Sequence, residues 1–184
     1  MLGEGAGTLV LETMDHAIKR GAKIYCELTS SAMTNDAVDE IVFSPEEEEM
    51  VAAFKIALRD AGIFPEEVDY ISAHAHSSII LDRKETMVIK KVFGKHANRL
   101  AVSSIKAMIG HSMAGGTAMQ SINACLALQK GMLPPTINYE KPDPECNLDY
   151  VPNEARNKQI RIALVDSFGL GGTNVVIIFC KVSD

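Results

Sequence analysis

His111-Ser112-Met113-Ala114-Gly115-Gly116-Thr117-Ala118-Met119-Gln120-Ser121-Ile122-Asn123-Ala124-Cys125-Leu126-Ala127-Leu128-Gln129-Lys130 has helical length and is apolar on nearly every face, with little more than Gln120, Asn123 and Gln129 as polar relief. A helix of that kind must be buried on several sides. Leu100 to Ser103 precedes it as a short strand. Two strands close the chain, Ile160 to Asp166 and Asn174 to Lys181, joined by the turn Phe168-Gly169-Leu170-Gly171-Gly172-Thr173. A buried helix between strands, followed by a hairpin, predicts a mixed α/β domain with an antiparallel end. So small a domain has few layers with which to enclose such a helix, so another chain or another copy is expected to cover it.

Upstream, Gly7 to Thr13 reads as a strand, Met14 to Arg20 as a short helix stopped by Gly21, and Lys23 to Ser30 as a second strand. Ser31 to Phe43 is polar and reads as a loop. Ser44, Pro45 and Glu46 to Glu49 then predict a helix start, with a Ser44/Glu47 capping box, proline in the first turn and acids at the positive end. Its core stripe is Met50, Phe54, Ala57, Leu58 and Ala61, and Gly62 ends it. Val68 to Ala73 is a strand, and Asp82 is expected to cap a helix from Arg83 to Phe93 that stops at Gly94.

The 184 residues are 47% hydrophobic and 23% charged, with a formal charge of −6 and no basic stripe, which argues against a nucleic-acid partner. The first residues lack the basic and apolar regions of a signal peptide, and the longest strongly apolar run, Val175 to Cys180, is too short to cross a bilayer. Cys26, Cys125, Cys146 and Cys180 form no C-x-x-C pair and read as reduced thiols of a cytoplasmic protein, with neither a disulfide framework nor a zinc site.

Three stretches stand at element ends, where α/β folds gather ligands: His74-Ala75-His76-Ser77-Ser78, Lys106 to His111, and Gly169 to Gly172. His111, read as the start of the apolar helix, meets free backbone N–H groups there. Its imidazole is expected to stay neutral and to donate one hydrogen bond to a developing oxyanion. His74, ending an apolar strand, reads on its own as a structural histidine with its hydrogen bonds met. Lys106 lies in an apolar stretch and needs either an ion-pair partner, with Glu85 the candidate, or a functional role. Glu85 in turn fits a capping box with Asp82. His16 and His96 are expected to be solvated, and His74-x-His76 lacks a third ligand nearby in sequence, so no metal is expected. The glycine turn lacks the context of a dinucleotide site and reads by spacing as a tight hairpin.

Together GEGAGTLVLE (Gly3 to Glu12), DYISAH (Asp69 to His74), ET (Glu85-Thr86), AVSSIKAMIGH (Ala101 to His111), PPTINYEKPDPECNLDYVPNEAR (Pro134 to Arg156) and DSFGLGGTN (Asp166 to Asn174) resemble the β-ketoacyl-acyl carrier protein synthases of the elongating type, over their C-terminal half only. The resemblance implies an α/β, thiolase-like half: a mixed sheet with packed helices and a C-terminal β-hairpin. It implies one domain over residues 1–184, with 1–12 resembling the last strand of a missing N-terminal half. By resemblance His74 and His111 are the two catalytic histidines, Lys106 the lysine that orients them, and Glu85 its partner. The family's nucleophilic cysteine has no counterpart among the four here. The usual His-Gly-Thr-Ser-Thr stands as His74-Ala75-His76-Ser77-Ser78, so His76 and Ser78 take the places of the hydroxyls for the phosphopantetheine arm. Phe168, Gly169, Leu170 and Gly171 correspond to the gating loop, with Leu170 replacing a phenylalanine, and Ser112 to Thr117 depart from the usual Leu-Leu-Gly-Ala-Ala-Gly.

The implied activity is that of an acyltransferase of fatty acid or polyketide synthesis, a decarboxylative Claisen condensation of malonyl-acyl carrier protein with an acyl group. No cofactor is implied beyond the phosphopantetheine on that carrier. The implied partners are the acyl carrier protein, a separate half bearing the cysteine, and a second subunit in a homo- or hetero-oligomer. The alternatives are a non-catalytic chain-length-factor-like or carrier-docking subunit, or a truncated fragment.

Overall fold

Alternation along the central strands decides the layering of the chain. In the computed structural model, which describes residues 1–41 and 43–182, the strands are β1 (Glu27–Asn35), β2 (Tyr70–Ser72), β3 (Ala101–Ser103), β4 (Met132–Leu133), β5 (Arg156–Asn157), β6 (Ile162–Gly169) and β7 (Thr173–Cys180). The helices are α1 (Met14–Lys19), α2 (Glu48–Ala61), α3 (Ile79–Phe93), α4 (Lys106–Ile109) and α5 (Gly116–Lys130). One mixed sheet runs in the order β1-β7-β6-β2-β3; β2 is parallel to β3 and β6, while β7 is antiparallel to β6 and β1. Successive strand residues face opposite sides. Ile71, Leu164 and Ile178 therefore pack with Phe54 and Val88 of α2 and α3, whereas Tyr70, Ala163, Val165 and Phe179 pack with Ala124 and Leu128 of α5.

The α2 stripe is as the sequence implies, with Met50, Phe54, Ala57 and Leu58 buried and Gly62 taking the left-handed cap at φ 67°. Its start differs. The Ser44 hydroxyl accepts from Glu46 N at 3.0 Å instead of closing a box with Glu47, and the helix begins at Glu48. Buried Lys84 explains this, because its ammonium donates to the carbonyls of Ser44 and Glu46 and keeps them outside the helix. Likewise α3 starts at Ile79, capped by the Ser78 hydroxyl accepting from Leu81 N at 3.4 Å, so Asp82 sits inside the first turn and its expected box with Glu85 does not form. Strand β1 lies about four residues later than expected. It continues through Asn35 because β7 offers a ladder from Glu27↔Cys180 to Asn35↔Thr173, which makes strand of the first part of the predicted loop; Val42 of that loop lies outside the described residues.

The apolar helix is shorter than its sequence. His111 is not its first residue: α4 ends at Gly110 (φ 75°), His111 bridges to Leu2, a 3-10 turn covers Met113–Gly115, and α5 begins only at Gly116. Gly7 to Thr13 is not a strand either. Of the described residues from 1 to 13 only Leu2 finds a bridge, and residues 5–9 instead run across α5, close enough that a Cβ on Gly7 would come 2.7 Å from Ile122. That segment and the sheet leave no residue from Gly116 to Gln129 exposed, though Met119, Ile122 and Leu126 stay half-buried.

Residues 134–155 fold back over the sheet edge beside β3, where Arg83 pairs with Asp143 (2.8 Å) and Glu145 (2.9 Å), and the Thr86 and Tyr150 hydroxyls meet at 2.6 Å. The terminal hairpin closes through Leu170-Gly171-Gly172, with both glycines left-handed at φ 80° and 74°.

A Cβ on Gly3 would fall 2.2 Å from the Ile109 carbonyl oxygen. Gly3→Ala is therefore expected to cost about 1–3 kcal/mol by overpacking, read as a lower urea midpoint with unchanged slope.

Candidate active site

Because β2, β3 and β6 are parallel, their carboxyl ends share one edge, and each delivers one candidate there. His74 follows β2, Ser104 and Lys106 follow β3, and Asp166 and Phe168 belong to the end of β6. His111 arrives after Gly110, held by its N–H on the Met1 carbonyl (3.0 Å) and by its carbonyl accepting from Gly3 N (3.0 Å). The imidazole rings of His74, His76 and His111 cluster with centroids 4.9 Å (His74 to His76), 5.2 Å (His76 to His111) and 5.6 Å (His74 to His111) apart.

His74 is the most constrained of the three. Its Nδ1 accepts from Phe168 N at 3.2 Å, so the neutral ring carries its proton on Nε2, and the Phe168 ring packs 5.5 Å away. The His74 N–H is shared by Glu85 Oε1 and Asp166 Oδ1, each at 2.8 Å, and Ala75 N donates to Glu85 Oε2 at 2.9 Å. The His74 carbonyl accepts from Lys106 Nζ, which also donates to Gln120 Oε1 at 3.0 Å. Lys106 thus finds carbonyl oxygens, and among the described residues no ion pair with Glu85 is formed within 4 Å. Gln120, 1% exposed, sends its Nε2 to the carbonyls of Ser72 (3.0 Å), Ala73 (2.8 Å) and Asp166 (3.1 Å).

Burial, then the Lys106 charge, lower the His74 pKa to about 2, and the same causes lower His76 and His111. Each cause favours the neutral form of the ring. Burial lowers Lys106 itself, partly offset by Glu85 and Asp166. Glu85 is raised well above the carboxylate range by burial and by Asp166, and burial raises Asp166 to about 6. Two buried carboxyls in contact cannot both ionise freely, so the pair keeps a proton near neutrality.

A cavity of about 330 Å³ opens beside the cluster, lined by His76, Lys106, His111, Glu85, Tyr139 and Cys146 among others. Ser77, at φ 71°, lines it, while the Ser78 hydroxyl is engaged as the α3 cap. Of the expected gating loop only Phe168 reaches the cluster. Gly169 pairs with Thr173, Leu170 is exposed, and the Gly171 carbonyl accepts from Asn35 Nδ2 at 2.8 Å. His96 is half-buried rather than solvated, its Nε2 2.9 Å from the Val68 carbonyl, and exposed His16 contacts Glu12 at 2.6 Å. Sequence reasoning gave no role to Asp166, Gln120 or Ser104. Gln120 carried a signal nonetheless: an amide in a helix this apolar, if buried, must find partners.

A sheet covered on both faces, with these side chains at the carboxyl ends of its parallel strands, has the thiolase-like architecture of the ketosynthases. The chain belongs to the β-ketoacyl synthase family, whose C-terminal domain profile matches residues 25–140. It is 46% identical over 184 residues to 3-oxoacyl-[acyl-carrier-protein] synthase 2 of Coxiella burnetii, covering 100% of this chain and 44% of that protein. It is 43% identical over 182 residues to nodulation protein E of a Rhizobium species, covering 99% of this chain and 45% of the relative. Among solved structures, the ishigamide ketosynthase/chain length factor superposes with a TM-score of 0.94 at 37% identity, over 100% of this chain and 44% of that one. A type II PKS acyl-carrier protein in complex with its ketosynthase bound to the hexaketide contains a chain that matches with a TM-score of 0.90 at 40% identity, over 94% and 42% of the two chains. The chain therefore spans less than half the length of these relatives and corresponds to their C-terminal half. No helix among the described residues is long and apolar enough to cross a membrane.

The shifts fix a pH dependence of stability. His74 is depressed below the ~6.5 of an unfolded histidine, so its contribution is complete above that pH and is lost as pH falls. Asp166 is raised above the ~4 of an unfolded carboxyl, so its contribution is complete below that value and is lost as pH rises through about 6, and Glu85, raised well above the same range, acts in the same direction. Between about pH 4 and 6 the two dependences oppose each other, so urea midpoints measured over that range are expected to fall more steeply with rising pH in His74→Gln and less steeply in Asp166→Asn than in the parent.

Proposed function

We propose that this chain supplies the histidine and lysine part of a composite ketosynthase site, and that a half bearing a cysteine nucleophile completes it. The observation that carries this reading is the locked tautomer of His74: a neutral imidazole, Nδ1 taken by Phe168 N, with Nε2–H left as a donor next to His111. When the malonyl thioester loses carbon dioxide, the electron pair of the broken C–C bond becomes an enolate, with charge on the thioester oxygen. Neutral N–H donors stabilise that oxygen without first having to lose a proton. The enolate carbon then attacks the acyl thioester held on the cysteine, the new C–C bond forms, and the cysteine thiolate leaves.

Lys106 acts as a positioning residue. It holds the His74 carbonyl, and its charge is one of the causes that keep His74, His76 and His111 unprotonated. Glu85, with Asp166, fixes the backbone that presents His74. His76 and Ser77 form the mouth through which a pantetheine arm enters from an acyl carrier protein, and no separate cofactor is required. The half-buried stripe of α5 is the face on which the other half or a second subunit packs, giving a soluble, cytoplasmic oligomer in fatty acid or polyketide synthesis. Cys146 lines the cavity, but burial raises its thiol, which disfavours it as the nucleophile.

One observation favours a second reading. With the Ser78 hydroxyl spent on α3 and His76 filling the mouth, a tunnel-shaping or carrier-docking subunit also fits this chain.

Purified chain should form no condensation product from acyl and malonyl carrier protein, whereas addition of a cysteine-bearing half should restore it. In that pair His111→Ala is expected to slow decarboxylation by roughly a hundredfold or more, with exposed His16→Ala as the control. Product from the chain alone would overturn the composite site, and equally small effects of both variants would establish the docking or tunnel role.

A further inference from the structure

Two of the four cysteines, unremarkable in sequence, meet in the fold. Cys26, just before β1, places its Sγ 3.1 Å from Cys125 Sγ on α5, across a separation of 99 residues. That gap is about 1 Å longer than an S–S bond of ~2.05 Å. Cys125 is buried in the core layer on the α5 side of the sheet and Cys26 is half-buried against it, so both sulfurs are held by packing rather than swinging on a loop. Neither touches the imidazole cluster. We propose that Cys26 and Cys125 are a reversible oxidation site, at which a peroxide-class oxidant ties the N-terminal segment covalently to α5.

The chemistry balances. The Cys26 S–H donated to Cys125 favours Cys125 as the thiolate and holds the proton on Cys26. The Cys125 sulfur attacks one oxygen of hydrogen peroxide, the O–O bond breaks, hydroxide leaves, and a sulfenic acid results. The Cys26 sulfur then attacks the sulfenic sulfur as its proton departs, the S–S bond forms, the S–O bond breaks, and the hydroxide leaves as water. The two thiols together lose two electrons, and peroxide is reduced to two waters. A dithiol reductant reverses the step by exchange.

The position gives the bond a consequence. The segment that ends at Cys26 runs over α5 and, through Met1 and Gly3, holds both backbone groups of His111. Fixing its far end to α5, five residues beyond Gln120, restricts the segment that frames one of the imidazoles. The long loop so closed removes freedom chiefly from the unfolded chain.

The full 184-residue chain, reduced and then exposed to hydrogen peroxide, would be examined by non-reducing peptide mapping and thermal unfolding. The expected result is a Cys26–Cys125 linked peptide and a Tm higher by about 5–10 °C. Both should be abolished by dithiothreitol or by Cys26→Ser and retained in Cys180→Ser. Cys26→Ser carries the test even where Cys125→Ser fails to fold. Cys180 is the control because it faces Glu27 across the β1–β7 ladder, the nearest competing thiol. A Cys26–Cys180 link, unlinked sulfinic acids at Cys26 and Cys125, or a linked peptide with no change in Tm would each overturn the proposal.

Discussion

The buried amide of Gln120 is the contact on which the site and the sheet both depend. Its Nε2 binds the carbonyls that follow β2 and the one at the end of β6, and its Oε1 takes the ammonium of Lys106 from beyond β3. Three parallel strands are thereby tied at their carboxyl ends to one residue of α5. These carbonyls lie where the ladder gives out, and without the amide they would be buried with fewer partners, at a cost of about 1–3 kcal/mol for each group left unsatisfied. A single side chain so links helix packing to the geometry of the imidazole cluster.

Around that anchor the electrostatics are arranged to keep the rings neutral. Lys106 supplies positive charge, the coupled Glu85 and Asp166 carboxyls supply less than two negative charges, and burial disfavours imidazolium throughout. Cationic histidines would be poor companions for a lysine at this distance. Neutral ones are donors whose tautomer the Phe168 N–H selects in the case of His74. The protein thus places hydrogen-bond donors, rather than fixed charge alone, where an oxyanion would develop.

Much of this was legible in the sequence, and what was not has physical causes. The α2 stripe, the hairpin glycines and the conjunction of His74, Lys106 and His111 follow from periodicity, turn chemistry and motif. Helix starts were misplaced wherever a distant group outcompeted the local cap: Lys84 claims the carbonyls of Ser44 and Glu46, and the His74 and Ala75 amides claim Glu85. Gly7 to Thr13 has strand composition, yet composition cannot supply a neighbouring strand: Leu9 packs on the α5 layer instead, and Val10 and Leu11 are exposed. The Glu85–Asp166 pair and the Cys26–Cys125 contact join residues 81 and 99 positions apart in the sequence, beyond the reach of any local pattern.

The central claim is that Gln120 and Lys106 act as one unit that fixes the site, and a double-mutant cycle tests it most directly. Gln120→Met, Lys106→Met and the double variant would be compared by urea unfolding at pH 7. Coupling of more than about 1 kcal/mol is predicted, since residues of one hydrogen-bond network typically couple by 0.5–3 kcal/mol. Additivity within about 0.3–0.5 kcal/mol, the behaviour of independent sites, would contradict it.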